Sequence, residues 1–151
     1  KPFDGYWMTT GYRVPDNACA CVTPGDPPGP LRPVGQLKVR SLLTSVAEGA
    51  TVPAGQPLRL RGIAFDSGRG IRAVTVSVDG GQTWMETRLG QDLGNYSFRE
   101  WALAFTPARQ GSLAIQVRAT SNAGEIQPMQ TAWNPSGYQR NGVETTHITV
   151  V

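Results

Sequence analysis

Few residues of this chain have the types and spacing that catalysis requires. The single histidine, His147, lies in the strand-like run Thr145-Thr146-His147-Ile148, and no G-x-S-x-G nucleophile motif accompanies it. It reads as a surface or pairing residue of the last strand. Asp66, Asp79 and Asp92 all fall in turn-like stretches, where a carboxylate caps backbone donors rather than working as half of an acid–base pair. Gly68-Arg69-Gly70 lacks the spacing and the following helix that dinucleotide binding needs. Cys19 and Cys21 are the only cysteines, with Ala20 between them. A disulfide across one residue is geometrically awkward, and a metal site would need further ligands that the sequence does not place nearby. The pair is therefore expected to be two unpaired structural or linker thiols; an intermolecular bridge, a ligand pair and a contact with another domain stay open. These residues predict no catalytic group and no metal site in this segment. What stands out is Trp133-Asn134-Pro135-Ser136-Gly137-Tyr138, an aromatic, a turn and a glycine just before the last apolar run. A packed loop with a core-plugging tryptophan is its plain reading, and a loop facing a partner is the other.

The elements that would position such a loop are strands. Ile71, Val74, Val76 and Val78 surround Thr75 and Ser77, and Asp79-Gly80-Gly81 supplies a tight reversal before Trp84, Thr87 and Leu89 resume an extended pattern. Leu37, Val39 and Ser41 alternate with Lys38 and Arg40 as a first strand; residues 51–57 read as a turn. Leu58, Leu60, Ile63 and Phe65 follow with a break at Gly62, then Trp101, Leu103 and Phe105, then Leu113 to Ala119, then Thr145 to Val151. Seven or so short strands at near-regular spacing predict an all-β fold, an immunoglobulin-like β-sandwich, with a small barrel as the structural rival. Seven of the twelve prolines (Pro2, Pro15, Pro24, Pro27, Pro28, Pro30 and Pro33) precede Val34, which predicts an extended, polyproline-like connector without strands. Yet Phe3, Tyr6, Trp7, Met8 and Tyr12 crowd into the same stretch, so it is expected to pack against a surface of this domain or of another.

The net charge of +3 comes from scattered arginines that form no run interleaved with stacking aromatics, which gives nucleic-acid binding no support. No apolar run approaches the ~20 residues of a membrane-spanning helix. The chain opens on Lys1, which is no initiator residue, so it reads as a processed product or as part of something longer.

Several of these segments carry a resemblance. Gly62-Ile63-Ala64, Gly70-Ile71-Arg72 and Val76-Ser77-Val78-Asp79-Gly80-Gly81-Gln82-Thr83-Trp84 are similar to the start of the molybdenum-cofactor oxidoreductase dimerisation domain. Trp101-Ala102-Leu103, Val117 to Gly124, Gln127-Pro128 and the W-N-x-x-G pattern of Trp133, Asn134 and Gly137 continue it in order, from about Val34 to Val151. This is the C-terminal immunoglobulin-like (E-set type) domain of the sulfite oxidase family. Gly5 to Asn17 resembles the tail of the preceding molybdopterin domain in bacterial sulfite dehydrogenases.

The resemblance implies residues 1–34 as that tail plus a Pro-rich connector, and residues 35–151 as the dimerisation domain. It implies two-electron oxidation of sulfite to sulfate at a molybdenum centre held by the upstream domain, with no cofactor bound by this segment. It also implies a homodimer, a cytochrome c as electron acceptor, and a periplasmic location. The molybdenum-ligating cysteine of the family belongs to the upstream domain, and Cys19 and Cys21 match no such motif. Where many relatives have arginine in W-N-x-R-G, this chain has Ser136, with Arg140 four residues on; both are candidates for the substrate anion, since a guanidinium fork fits an oxyanion. Trp133, Asn134 and Gly137 are expected in a loop facing the catalytic domain. A stand-alone adhesion or carbohydrate-binding module is the alternative, and coplanar exposed aromatics on one sheet face would mark it.

Overall fold

The computed structural model describes residues 3–151; Pro2, counted above in the proline-rich front, lies outside them. A π-helical turn at Trp7–Gly11 precedes eleven strands: β1 (Arg13–Pro15), β2 (Leu31–Pro33), β3 (Arg40–Leu43), β4 (Thr51–Val52), β5 (Leu58–Phe65), β6 (Ile71–Ser77), β7 (Met85–Glu86), β8 (Arg88–Leu89), β9 (Arg99–Phe105), β10 (Gly111–Ser121) and β11 (Thr145–Val150). One sheet runs β4-β11-β10-β6-β7, a second runs β3-β5-β9-β8, and β1 pairs with β2 alone. The two large sheets enclose a core to which Leu60, Ala64 and Trp101 contribute from one side and Val74, Val76, Ile115, Val117, Ala119 and Ile148 from the other. This is the all-β sandwich that the alternation predicts.

Alternation explains most of the packing. In β5, Leu60 and Ala64 are buried while Arg59 and Arg61 face solvent. Each large aliphatic chain removed from water contributes about 1.5–3 kcal/mol, so the register that buries Leu60 is strongly preferred over its one-residue slip. The sequence reading of a break at Gly62 is not what the strand does: Leu60, Gly62 and Ala64 are buried in unbroken phase, while Ile63 and Phe65 lie half-buried on the other face. Glycine is needed at 62 because a Cβ there would run into the Leu42 carbonyl oxygen and the Trp101 indole. In β6, buried Ile71 and Val74 are three apart rather than two. The register against β10 shifts between Thr120 and Ser121, so Arg72 is the extra residue of a bulge and the phase is restored after it.

Five further details differ from the sequence reading. The strand read as starting at Leu37 is β3 and begins only at Arg40: the Leu37 amide is committed to Ser67 Oγ at 2.9 Å and Leu37 is 55% exposed. Thr51 and Val52 are not part of a turn: they pair in parallel with Thr149 and Val150 and close that edge. The strand returning from the Asp79-Gly80-Gly81 reversal does not stay with its partner. Met85 and Glu86 pair with β6, but Arg88 and Leu89 pair with β9 in the opposite sheet. Thr87 makes the crossing, its amide and hydroxyl both donating to the Val74 carbonyl. Fourth, the proline-rich front contains a ladder, Arg13–Pro15 against Leu31–Pro33, with Pro15 and Pro33 at ladder ends where a missing N–H is tolerated. Val14 at its centre is fully buried. Fifth, Cys19 and Cys21 form a disulfide, not two free thiols. The turn between them is reached because Ala20 takes φ 52°, a left-handed conformation that the spacing argument did not allow for.

Candidate functional site

The sequence placed its interest in residues 133–138, and the structure brings that loop together with the front segment. Asn134 is buried and closes the loop: its Nδ2 donates to the Tyr138 carbonyl at 2.8 Å, and its Oδ1 accepts from the Tyr138 amide at 3.2 Å. The Gly137 amide donates to the Asn134 carbonyl at 3.0 Å, and Gly137 sits at φ 67°, where a side chain would be strained. The W-N-x-x-G spacing is thus a turn device: asparagine as the staple, glycine as the left-handed corner.

The turn holds Trp133 outward. Its side chain is 43% exposed, so it is not a core plug, and its carbonyl accepts the Val22 amide at 3.0 Å. Tyr138 meets Tyr12 edge to face at 5.5 Å, and Tyr12 stacks on Trp7 at 5.3 Å. The Val34 amide donates to the Tyr12 carbonyl, and Arg13 donates to the carbonyls of Met8, Thr9 and Leu31. The front segment therefore packs on this domain, as its aromatics suggested, while Phe3, Tyr6, Trp7 and Tyr12 remain largely exposed. Trp7, Tyr12 and Tyr138 thus form a chain of ring contacts where the front segment meets the loop, and Trp133 is exposed on the same loop.

The anion candidates are both at the surface. Ser136 is exposed at the corner of the turn. Arg140 is 65% exposed and lies 4.0 Å from Glu144, a carboxylate that Arg40 binds more closely at 2.7 Å. Such exposed pairs hold a side chain weakly, about 0–1 kcal/mol, so Arg140 is held only loosely there. His147 pairs with Glu48 through its amide and ring, in keeping with the structural role read for it.

Sequence reasoning missed the residue that ties the late segment down. Gln127 is buried; its Oε1 accepts from the Ser41 amide, the Ser41 hydroxyl and the Ala119 amide, and its Nε2 donates to the Gly142 carbonyl. Asn141 adds a bond from its Nδ2 to the Val39 carbonyl. Gln127-Pro128 was visible as a motif, but only the three-dimensional approach of β3 and β10 shows why a glutamine is needed.

Trp101 is in the core and Trp84 lies half-buried with the Arg118 guanidinium 4.2 Å above its ring, so neither forms an exposed aromatic platform. Both cysteines are joined in the disulfide, and among the described residues no three His, Cys, Asp or Glu side chains stand together as a metal site would need.

Comparison with known proteins agrees with this arrangement. A family model described as the Mo-co oxidoreductase dimerisation domain matches residues 32–150. Mitochondrial sulfite oxidase of Rattus norvegicus is 32% identical over 126 residues, covering 78% of this chain and 23% of that protein. Sulfite oxidase of Gallus gallus is 36% identical over 112 residues, covering 69% of this chain and 24% of that protein. The chain thus spans about a quarter of the length of these curated relatives. In fold it is similar to the sulfane dehydrogenase SoxCD from Paracoccus pantotrophus, with a TM-score of 0.69 at 20% identity, over 93% of this chain and 35% of that one. That share reaches beyond the family match into the front segment. The chain belongs to the Mo-co oxidoreductase dimerisation domain family.

Proposed function

We propose that this chain is the dimerisation unit of a molybdenum-cofactor enzyme that oxidises sulfite or a closely related sulfur oxyanion, and that it is not catalytic by itself. The observation that carries this reading is the junction of the front aromatics with the Trp133–Tyr138 loop. A free linker would not stack Trp7 on Tyr12 and Tyr12 on Tyr138 and still leave Trp7 and Trp133 exposed. An upstream catalytic domain covering that flank accounts for both. Residues 1–34 are then the tail of that domain plus the connector, and residues 35–151 the dimerisation domain. The molybdenum cofactor is held upstream. Arg140, loosely tied to Glu144, is free to swing toward a substrate anion that the loop faces, with Ser136 beside the same turn.

The homodimer forms through the outer face of the four-stranded sheet. There Phe98, 57% exposed, packs on Phe65 at 5.5 Å, and the small Ala102 and Ala104 lie between strands bearing Arg59, Arg61 and Arg88. An isologous C2 pairing would cover the aromatics and bring these arginines toward Glu100 of a second copy. Electrons pass to a cytochrome c, and the location is periplasmic; the Cys19–Cys21 bond supports an oxidising compartment.

Elemental analysis and solution scattering on the full-length protein carrying this segment test the reading. About one molybdenum per chain and a dimeric mass are expected, and Arg140→Ala should raise KM for sulfite about tenfold with little change in kcat. A metal-free, monomeric protein would overturn it.

A further inference from the structure

The excursion between β1 and β2 closes a disulfide over a single residue, and the Lys38 ammonium lies against it. Cys19 is exposed, Cys21 is half-buried, and their Cα atoms are 5.1 Å apart. Ala20 between them is buried at φ 52°, a backbone conformation that residues with a Cβ avoid. The loop is also held by hydrogen bonds that involve no sulfur. The Asn17 carbonyl accepts the Ala20 amide at 3.1 Å, Asn17 Oδ1 accepts the Cys21 amide at 3.2 Å, and Asn17 Nδ2 donates to the Cys21 carbonyl at 2.8 Å. A bridge over one residue also removes little chain entropy from the unfolded state, so stabilisation is a poor reason for it. Exposed disulfides are the labile and regulatory ones.

The surroundings favour an incoming anion. Lys38 Nζ donates to the Cys19 carbonyl at 2.7 Å, and its ammonium has no carboxylate partner among the described residues. Burial, with the charge of Arg32 adding, lowers the Lys38 pKa, which marks two cations near each other in a partly desolvated place. Ala18, Arg32 and Lys38 line one concavity of about 580 Å³. Its other charges are balanced: Arg69 is paired with Glu125, and Arg32 touches Asp16 at 3.5 Å.

We propose that Cys19–Cys21 is a thiol–disulfide exchange site that takes two electrons from a dithiol, with the Lys38 ammonium drawing the attacking thiolate toward it. The thiolate bonds to the exposed Cys19 sulfur, the Cys19–Cys21 bond breaks, and Cys21 leaves as a thiolate that takes a proton from solvent. The second thiol of the reductant then displaces Cys19 from the mixed disulfide. The bridge ends as two thiols and the reductant as its own disulfide. Val22, next in the chain to Cys21, donates its amide to the Trp133 carbonyl, so the bridge lies beside the candidate loop. This inference is independent of the dimerisation reading.

The full chain is equilibrated with reduced and oxidised dithiothreitol, alkylated and weighed intact, with circular dichroism recorded in parallel. Reversible opening with an unchanged spectrum is expected. Opening rates are then compared for mercaptoacetate, 2-mercaptoethanol and cysteamine, each corrected for its thiolate fraction. The anionic thiol should exceed the cationic one by on the order of tenfold, and Lys38→Met or 0.5 M salt should bring the ratio toward one. A bridge that opens only where denaturant unfolds the chain would overturn the proposal. Equal rates for the anionic and cationic thiols would overturn it as well.

Discussion

The sandwich and the front segment are built from the same polar backbone but solve its demands differently. In the sandwich, β5, β9, β6 and β10 satisfy their amides in long ladders and earn stability by alternating side chains into a common core. In the front segment, two three-residue strands, an asparagine-stapled turn, a disulfide and a stack of aromatics hold a chain too rich in proline for such ladders. The first kind of order is set by periodicity. The second is set by contacts with a distant part of the chain, Tyr12 with Tyr138 and Val22 with Trp133. A domain whose one part is ordered by periodic strands, and whose other part is ordered by docking on a distant loop, is well suited to joining a neighbour on that side.

The largest expected effect breaks the sandwich. Trp101 is 2% exposed, and among the described residues its Nε1 has no hydrogen-bond partner, so its worth lies in packing alone. Trp101→Ala should destabilise the domain by about 3–5 kcal/mol, and Trp101→Phe by clearly less, read from urea midpoints. Next comes the tie that fastens the late segment to the sandwich. Gln127→Ala leaves the Ser41 amide, the Ser41 hydroxyl and the Ala119 amide without their shared acceptor, which should cost about 1–3 kcal/mol. Amide hydrogen exchange should show residues 127–142 loosening before β5 and β9 do. If both open together, the late segment and the sandwich are one cooperative unit.

The smallest effect belongs to the hairpin tip. The Thr83 hydroxyl and amide, the Ser77 hydroxyl and the Gln82 amide all donate to the Asp79 carboxylate, and the bonds from Thr83 do most to hold its pKa well below the usual carboxylate range. As pH falls, the unfolded chain takes up this proton first. The stabilisation is therefore complete above about pH 4 and is lost below it as pH approaches the folded value. Asp79→Asn should flatten that part of the acid limb of the melting temperature while leaving the front segment untouched.

This contrast also decides what was legible in the sequence. Leu60, Trp101, Val117 and Ile148 announce their faces by spacing, so the fold class and the long strands could be read directly. The second half of β5 was read in the wrong phase, because a buried glycine and alanine carry little hydrophobic signal. The sheet switch at Thr87 could not, because which carbonyl its amide reaches depends on where Val74 lies. The Cys19–Cys21 bond was missed because the torsion it needs is supplied by a left-handed Ala20, and nothing in a one-residue spacer signals that. Of the late loop, the turn was visible in Asn134 and Gly137, but its partner surface in Tyr12 and Trp7 was not. Arg140 and Ser136 were nominated by resemblance, and both lie at the surface near that turn.

Dimerisation is the central claim, and sedimentation equilibrium across the micromolar range tests it most directly. The chain with its native sequence is predicted to sediment as a dimer. Phe98→Asp, placed on an exposed side chain that the core does not need, is predicted to sediment as a folded monomer. A native chain that stays monomeric to several hundred micromolar, or a dimer indifferent to Phe98→Asp, would contradict the assignment of that face.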